Sequence, residues 1–123
     1  VGAQVADKKR ALIFDDEIAT GGTTLELCRL LVAEGIQELW LACTHGVLSG
    51  PAIQRLSSVP ELVEVVTTNT VPLPPQKRAA ELLPHLTVLS VAPIFGEAIR
   101  CNTLGRSVGK LFAFWLDEPP ASP

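Results

Sequence analysis

Short apolar runs alternate along the chain with stretches that have helical periodicity. Four runs rich in aliphatic or β-branched residues are predicted as strands, at residues 11–14, 39–43, 63–67 and 86–91. Four stretches are predicted as helices, at residues 23–34, 51–56, 77–83 and 93–100. The apolar face of the first helix is expected at Leu27, Leu30 and Leu31 and, less strictly, at Leu25 and Val32, with Gly35 at its C-terminal end. Because strands alternate with helices, we predict an α/β domain built on a parallel sheet.

Polar residues follow three of the predicted strands. Asp15 and Asp16 follow the first, and His45 and Asn69 lie in Thr-His-Gly and Thr-Asn-Thr segments after the second and third. The carboxyl ends of parallel strands meet at one edge of the sheet, where such folds bind ligands. We therefore expect a ligand site there. For His45, a structural role through a backbone hydrogen bond is weighed above a catalytic one.

The segment between the first strand and the first helix is predicted to bind phosphate. Gly21 and Gly22 permit a tight turn and a close approach of backbone N–H groups to a ligand, and Thr20 and Thr23 add hydroxyl donors. The helix that follows presents unsatisfied N–H groups and the positive end of its dipole. These groups together suit a phosphate monoester. Since no Gly-Lys-Ser/Thr sequence follows the glycines, the loop is not a nucleotide-binding P-loop.

The two aspartates need a different role, because carboxylates repel phosphate. Side by side, Asp15 and Asp16 can accept hydrogen bonds from vicinal hydroxyls, such as the 2- and 3-hydroxyls of a ribose. A phosphate at the helix and hydroxyls at the carboxylates together describe ribose 5-phosphate. The alternative is an ordinary helix cap with an Asx turn.

Composition narrows the class of protein. The 123 residues are 47% hydrophobic, which suits one domain with a real core. A net charge of −3 without a long basic block argues against a nucleic-acid partner. No apolar run reaches the roughly 20 residues of a membrane span, and no signal peptide is visible, so we expect a cytoplasmic protein without a membrane partner. The widely spaced Cys28, Cys43 and Cys101 predict reduced core thiols and no metal site.

The first predicted strand lies very near the start of the chain, although a phosphate loop commonly follows a strand inside a larger sheet. We therefore expect a piece of a longer protein. Its domain is predicted over residues 1–116, incomplete at its N-terminus, and a Pro-rich tail at 117–123 is expected to fray.

The apolar strand, the two acids and the Thr-Gly-Gly-Thr loop resemble the fingerprint of the type I phosphoribosyltransferase fold, a three-layer α/β domain. Three further segments, at residues 41–53, 65–72 and 89–112, are similar to ribose-phosphate pyrophosphokinases, also called phosphoribosyl pyrophosphate synthetases. The similarity runs in order from residue 1 to residue 112. It identifies the chain as the C-terminal domain of such a synthetase.

The resemblance implies a Mg²⁺-dependent transfer of diphosphate from ATP to the 1-hydroxyl of ribose 5-phosphate, a step of nucleotide biosynthesis. It implies that Asp15 holds the ribose hydroxyls, and that Asp16 supports the same sugar site or a metal-bound water. The 5-phosphate is expected to lie against five loop residues, Ala19, Thr20, Gly21, Gly22 and Thr23. The full-length protein is expected to be a homo-oligomer.

Ser107 and Val108 match a segment that, in the family, contributes to an allosteric phosphate or nucleotide site between subunits. Gly109 replaces a frequent serine there, so an ordinary C-terminal cap is an equal alternative.

Two departures from the family pattern matter. Ala19 stands where these synthetases commonly have another aspartate, although related adenine phosphoribosyltransferases can carry alanine there. The family's ATP site, its metal-binding His and Asp, and its catalytic Lys/Arg loop lie upstream. We therefore expect no catalytic residue and no metal ligand in this chain, no turnover by it alone, and binding of ATP and most of the Mg²⁺ through the missing part. Two alternatives stay open: a phosphoribosyltransferase that uses phosphoribosyl pyrophosphate, and a non-catalytic synthetase-associated regulatory subunit, which Ala19 favours.

Overall fold

A parallel sheet with the strand order β1-β2-β3-β4 organises the first part of the chain. The computed structural model describes residues 8–73, 85–109 and 111. Its strands are β1 (Arg10–Ile18), β2 (Glu38–Gly46), β3 (Leu62–Thr68) and β4 (Leu86–Leu89). Its helices are α1 (Gly22–Ala33), α2 (Ala52–Ser57) and α3 (Ala92–Thr103). The predicted helix at 77–83 and the tail at 117–123 lie outside the described residues.

The chain divides into two compact units, Val1–Ser90 with the sheet, α1 and α2, and Val91–Pro123 with α3. In the first unit, each strand pairs with the next one along the chain, so the crossover connections all run in the same direction across the sheet. Because such crossovers are right-handed, they place α1 and α2 on the same face of the sheet. The core on that face combines strand and helix residues, among them Ile13, Leu39, Leu41, Cys28, Ala52 and Leu56. The predicted α/β domain with a parallel sheet is confirmed.

The opposite face of the sheet is apolar and exposed at β1. Side chains alternate between the two faces of a strand, so Leu12 and Phe14 project away from the buried Ile13. Leu12 is 65% exposed and Phe14 is 77% exposed. A further layer over this face, and the incompleteness at the N-terminus, stay predictions.

β1 does not end before the aspartates, as the apolar run predicted. Its pairing with β2 continues through them, with Asp15 opposite Cys43 and Ile18 opposite Gly46. Ile18 is 1% exposed, so the burial of its side chain stabilises the additional strand pairing beyond the aspartates. At the end of β2, only glycine fits, because a Cβ on Gly46 would lie 2.5 Å from Oγ1 of Thr67.

The predicted apolar face of α1 is confirmed at Leu31, Leu25 and Val32, which pack against the core, and is wrong at Leu27 and Leu30. Leu27 and Leu30 are exposed, whereas Thr24 and Cys28 are buried. Residues four apart share a helix face, so the Thr24–Cys28 line points to the sheet and turns Leu27 and Leu30 outward. The predicted end of α1 is confirmed, since Gly35 follows it with a φ of +96°.

All three cysteines are buried free thiols, as predicted. Burial raises the pKa of the Cys28 and Cys43 thiols above the ordinary value, which keeps both protonated near neutral pH. The Cys43 thiol donates a hydrogen bond to Oγ1 of Thr67, with a distance of 3.4 Å. Within the described residues, none of the helices has the length and apolar character needed to cross a bilayer.

The one-sided burial of the sheet predicts a large difference between two leucine truncations. Leu41→Ala should lower the free energy of unfolding by about 2–5 kcal/mol, because it leaves a cavity in the core. Leu12→Ala should lower it by less than about 1 kcal/mol, because Leu12 is mostly exposed. Urea unfolding of both variants measures the difference. An equal loss in both would contradict an open second face.

Candidate functional site

The acids of β1 lie at the carboxyl edge of the sheet, where the sequence places a ligand site. Asp15 is half-buried, and Asp16 and Glu17 are exposed. The backbone N–H of Asp16 donates to Oδ1 of Asp15 over 2.9 Å, which restrains that carboxylate. Neither aspartate caps α1, because the N-cap residue is Gly21 and no side chain caps the helix. The alternative of an ordinary helix cap is therefore wrong.

Gly21 makes the turn from the strand end into α1. Its φ is +69°, in the left-handed region that side chains with a Cβ resist. A Cβ built on Gly21 would lie 3.4 Å from Cα of Ala52, so α2 packs closely behind the loop. The left-handed φ and the close packing of α2 together explain why position 21 needs a glycine.

Three consecutive carbonyl groups before and within the loop are held from one side. The segment that joins β2 to α2, together with α2, supplies the donors: Leu48 N–H to Ile18 O (3.0 Å), Ser49 N–H to Ala19 O (2.9 Å) and Arg55 Nη1 to Thr20 O (2.8 Å). The described peptide bonds are all trans. In a trans peptide, the N–H points opposite to the C=O of the preceding residue. Each of the N–H groups of Ala19, Thr20 and Gly21 therefore points away from the donor that binds the carbonyl of the residue before it.

The N-terminus of α1 continues this row of donors. The first helical hydrogen bond runs from Leu25 N–H to the carbonyl of Gly21 over 3.0 Å. The N–H groups of Gly22, Thr23 and Thr24 consequently have no intrahelical acceptor, and they carry the positive end of the helix dipole. N–H groups without intrahelical acceptors, at the positive end of a helix dipole, are donors of the kind that suits an anion.

Sequence reasoning found Thr20, Gly21, Gly22 and Thr23 but missed Arg55. Arg55 lies 35 residues from the carbonyl that it contacts, so no local pattern connects the two. The available signal was weak: a single cation in the short helix that follows the Thr-His-Gly segment.

His45 joins the ends of β2 and β3. Its Nδ1 lies 2.8 Å from Oγ1 of Thr70, and His45 also forms an isolated bridge with Asn69. The structural role weighed first in the sequence agrees with this contact, but the partner is a hydroxyl and not only backbone. On the other side, His45 is paired with Glu17 of β1. The histidine therefore lies beside the acidic end of β1, at the same edge of the sheet.

The hydrogen bonds around His45 determine its tautomer. The carbonyl of Thr44 accepts from Oγ1 of Thr68 (2.7 Å) and from Oγ1 of Thr70 (3.0 Å). A hydroxyl has one proton, so a Thr70 that donates to Thr44 can only accept from Nδ1 of His45. This pattern makes more hydrogen bonds than the reverse one. It requires the proton on Nδ1 and leaves Nε2 as an acceptor.

Ser107 and Val108 belong to the second unit and are exposed. The hydroxyl of Ser107 accepts a hydrogen bond from the N–H of Gly109 over 3.1 Å, a local turn contact. A role of Ser107 and Val108 in an allosteric site stays a prediction. The alternative of an ordinary C-terminal cap also stays a prediction.

Metal ligation was tested on the donor groups present. Across residues 8–73, 85–109 and 111, no three His, Cys, Asp or Glu side chains come together in a way that could hold a metal ion. Asp15, Asp16 and Glu17 follow one another along β1, but they do not form such a group.

The fold is an α/β domain whose parallel sheet has an acidic strand end and a helix N-terminus at the carboxyl edge, where such sheets bind ligands. The sequence model of a protein family described as "Phosphoribosyl synthetase-associated domain" matches residues 1–113 of this chain. The chain belongs to this family. The predicted relationship to ribose-phosphate pyrophosphokinases with a type I phosphoribosyltransferase fold is confirmed.

Several relatives make the relationship specific. Ribose-phosphate pyrophosphokinase of Caldanaerobacter subterraneus subsp. tengcongensis is 46% identical over 104 residues, which are 85% of this chain and 31% of that protein. Ribose-phosphate pyrophosphokinase of Clostridium acetobutylicum is 47% identical over 104 residues, again 85% of this chain and 31% of that protein. The crystal structure of phosphoribosylpyrophosphate synthetase from Mycobacterium smegmatis matches with a TM-score of 0.70 and 42% identity, over 78% of this chain and 30% of that chain. The chain spans about a third of the length of the relatives that it matches.

The hydrogen-bond pattern at His45 predicts its tautomer. In the neutral form, the proton of His45 should reside on Nδ1, and Thr70→Val should shift it toward Nε2 by removing the acceptor. Long-range ¹H–¹⁵N correlation spectra of the imidazole rings measure this. His85, the other histidine of the chain, is exposed and serves as the internal control. A wild-type His45 protonated on Nε2 would contradict the assignment.

Proposed function

We propose that this chain is the C-terminal domain of a ribose-phosphate pyrophosphokinase and binds ribose 5-phosphate for that reaction. The observation that supports this most directly is the row of N–H groups at residues 19–24. The carbonyls of residues 18–20 are held by the β2–α2 segment and Arg55, so the N–H groups that follow them point away from these donors, and the carboxylates of Asp15 and Asp16 precede them at the same strand end. An anion site and an acceptor site for hydroxyls thus adjoin each other, as a sugar phosphate requires.

In this proposal, the 5-phosphate accepts hydrogen bonds from the N–H groups of residues 19–23. Ala19 does not weaken this role, because residue 19 acts through its backbone and its carbonyl is held by Ser49. Replacing a common aspartate by alanine also removes a negative charge beside the phosphate. Binding of the 5-phosphate is therefore compatible with the one loop position that departs from the family pattern.

The ribose is held by the acids of β1. Asp15 keeps one oxygen engaged with the N–H of Asp16 and offers its remaining lone pairs to the 2- and 3-hydroxyls. Asp16, which is exposed, supports the same sugar or a metal-bound water. The contribution of this chain to the reaction is positioning: it holds the sugar so that the 1-hydroxyl can attack the β-phosphorus of ATP, with AMP as leaving group.

Mg²⁺ and ATP are assigned to the part of the protein outside this chain. Mg²⁺ commonly keeps several waters and uses one or two carboxylates together with substrate phosphates. Asp15 and Asp16 fit such an outer contact, but the described residues do not form a metal centre of their own. We therefore derive no step through the metal. A cytoplasmic location and a homo-oligomeric full-length protein stay predictions.

A non-catalytic, synthetase-associated subunit is the second candidate, and Ala19 is the observation that favours it. Such a subunit would keep the sugar-phosphate fold for assembly. Activity of the full-length protein separates the two candidates, because only a synthetase forms AMP from ATP and ribose 5-phosphate.

Calorimetric titration of the chain with ribose 5-phosphate tests the binding proposal. The wild type should bind it, and ribose without phosphate should bind much more weakly. Asp15→Asn should weaken binding about ten-fold through loss of charge-assisted hydrogen bonds. Gly21→Val should abolish binding, since valine resists a φ of +69°. Glu26→Gln on the exposed side of α1 is the matched control. Equal binding by the wild type and the Gly21 variant would contradict the site.

The chain alone should form no AMP from ATP and ribose 5-phosphate, because the proposed ATP and metal ligands lie outside it. A coupled assay for AMP with Mg²⁺ present measures this. Enzyme-dependent turnover by the purified chain would show that its own residues suffice and would overturn this expectation.

A further inference from the structure

The three carbonyls held from behind the loop are not held in the same way. Backbone N–H groups of Leu48 and Ser49 hold the first two, whereas a side chain, Arg55, holds the third over 2.8 Å. Among the three peptides whose carbonyls are held, only the one between Thr20 and Gly21 includes a glycine, which makes it the easiest of the three to rotate. This peptide is therefore the point of the loop whose orientation depends on a single side chain.

The orientation of this peptide decides where one donor points. With the Thr20 carbonyl bound to Arg55, the N–H of Gly21 faces away from Arg55, and it directly precedes the N–H groups at the start of α1. If the peptide rotated by half a turn, a carbonyl oxygen would face the same place and repel a phosphate. A guanidinium has a rigid planar set of donors, so it can fix a carbonyl while its other N–H groups remain available.

Arg55 also brings a positive charge to a loop that contains none of its own. Asp15, Asp16 and Glu17 give the strand end three negative charges, and the loop itself contains no cation. Among the described residues, Arg55 forms no salt bridge, so no carboxylate neutralises it. Its Nη1 lies 3.5 Å from the place of a Cβ on Gly22, which puts the charge directly at the loop.

We propose that Arg55 is a positioning residue of this loop: it holds the Thr20 carbonyl so that the Gly21 N–H faces the bound phosphate, and its charge offsets the three acids. The inference rests on the proposed function, because the phosphate is that of ribose 5-phosphate. It concerns a residue that the sequence pattern of the loop does not contain.

The test is an amide-resolved NMR titration of the whole chain with ribose 5-phosphate and, separately, inorganic phosphate. Arg55→Met should weaken both about ten-fold, the scale of one hydrogen bond to a charged group. The change in the Gly21 amide signal on binding should largely disappear, while the changes at Gly22 and Thr23 persist. Arg55→Lys keeps the charge without the rigid fork, so it should bind with intermediate affinity. Arg29→Met, an exposed cation on α1, is the matched control and should bind like the wild type.

The outcomes separate the two proposals. A wild-type chain that binds neither compound overturns the proposed function. Wild-type binding with unchanged affinity in Arg55→Met overturns only the role of Arg55. Weaker binding with the Gly21 signal changing as in the wild type also overturns it, because the peptide would then not depend on Arg55. If Arg55→Met does not fold, Arg55→Lys decides, and wild-type affinity in that variant contradicts the positioning role.

Discussion

The parallel pairing of β1 with β2 beyond the apolar run is the constraint on which the candidate site depends. It carries Asp15 and Asp16 along an ordered strand, where a loop was predicted. It also brings the residues after β2 beside the residues after β1, because parallel strands end at the same edge. Leu48 and Ser49 then reach the carbonyls of Ile18 and Ala19. Without this register, the loop before α1 would lose the backbone donors that hold its carbonyls.

A row of N–H groups can bind an anion only if the backbone does not turn carbonyls toward it. In this chain, donors on the β2–α2 segment and on α2 bind the carbonyls of Ile18, Ala19 and Thr20 and so keep them turned away from the N–H groups. The carbonyls of Ile18, Ala19 and Thr20 are thereby satisfied without a ligand. A preorganised loop loses less freedom on binding, which favours affinity. Under the proposed function, position 19 acts through its carbonyl and N–H and not through its side chain, which agrees with an alanine there.

The first unit has a core on one face of the sheet, with α1 and α2, and an apolar surface on the other. β1 carries the largest exposed apolar side chain of that second face, Phe14. Exposed apolar patches of this kind commonly mark a surface that another part of a protein covers. The relatives that the chain matches are about three times as long, so they contain residues with no counterpart in this chain. The exposed apolar face of the sheet and the partial coverage of the relatives are two independent observations.

Local sequence determined the class of fold, the order of its elements and the loop. Apolar runs, helical periodicity and the two glycines depend on neighbours within a few residues, so they are visible along the chain. The sequence also placed Asp15, Asp16 and the residues from Thr20 to Thr23 at the strand end. Only the tertiary structure decided the length of β1, the buried face of α1, the partner of His45 and the contact of Arg55 with the loop. Each of these depends on pairing or packing between residues far apart in sequence, where the energy of burial and of long-range hydrogen bonds outweighs local preference.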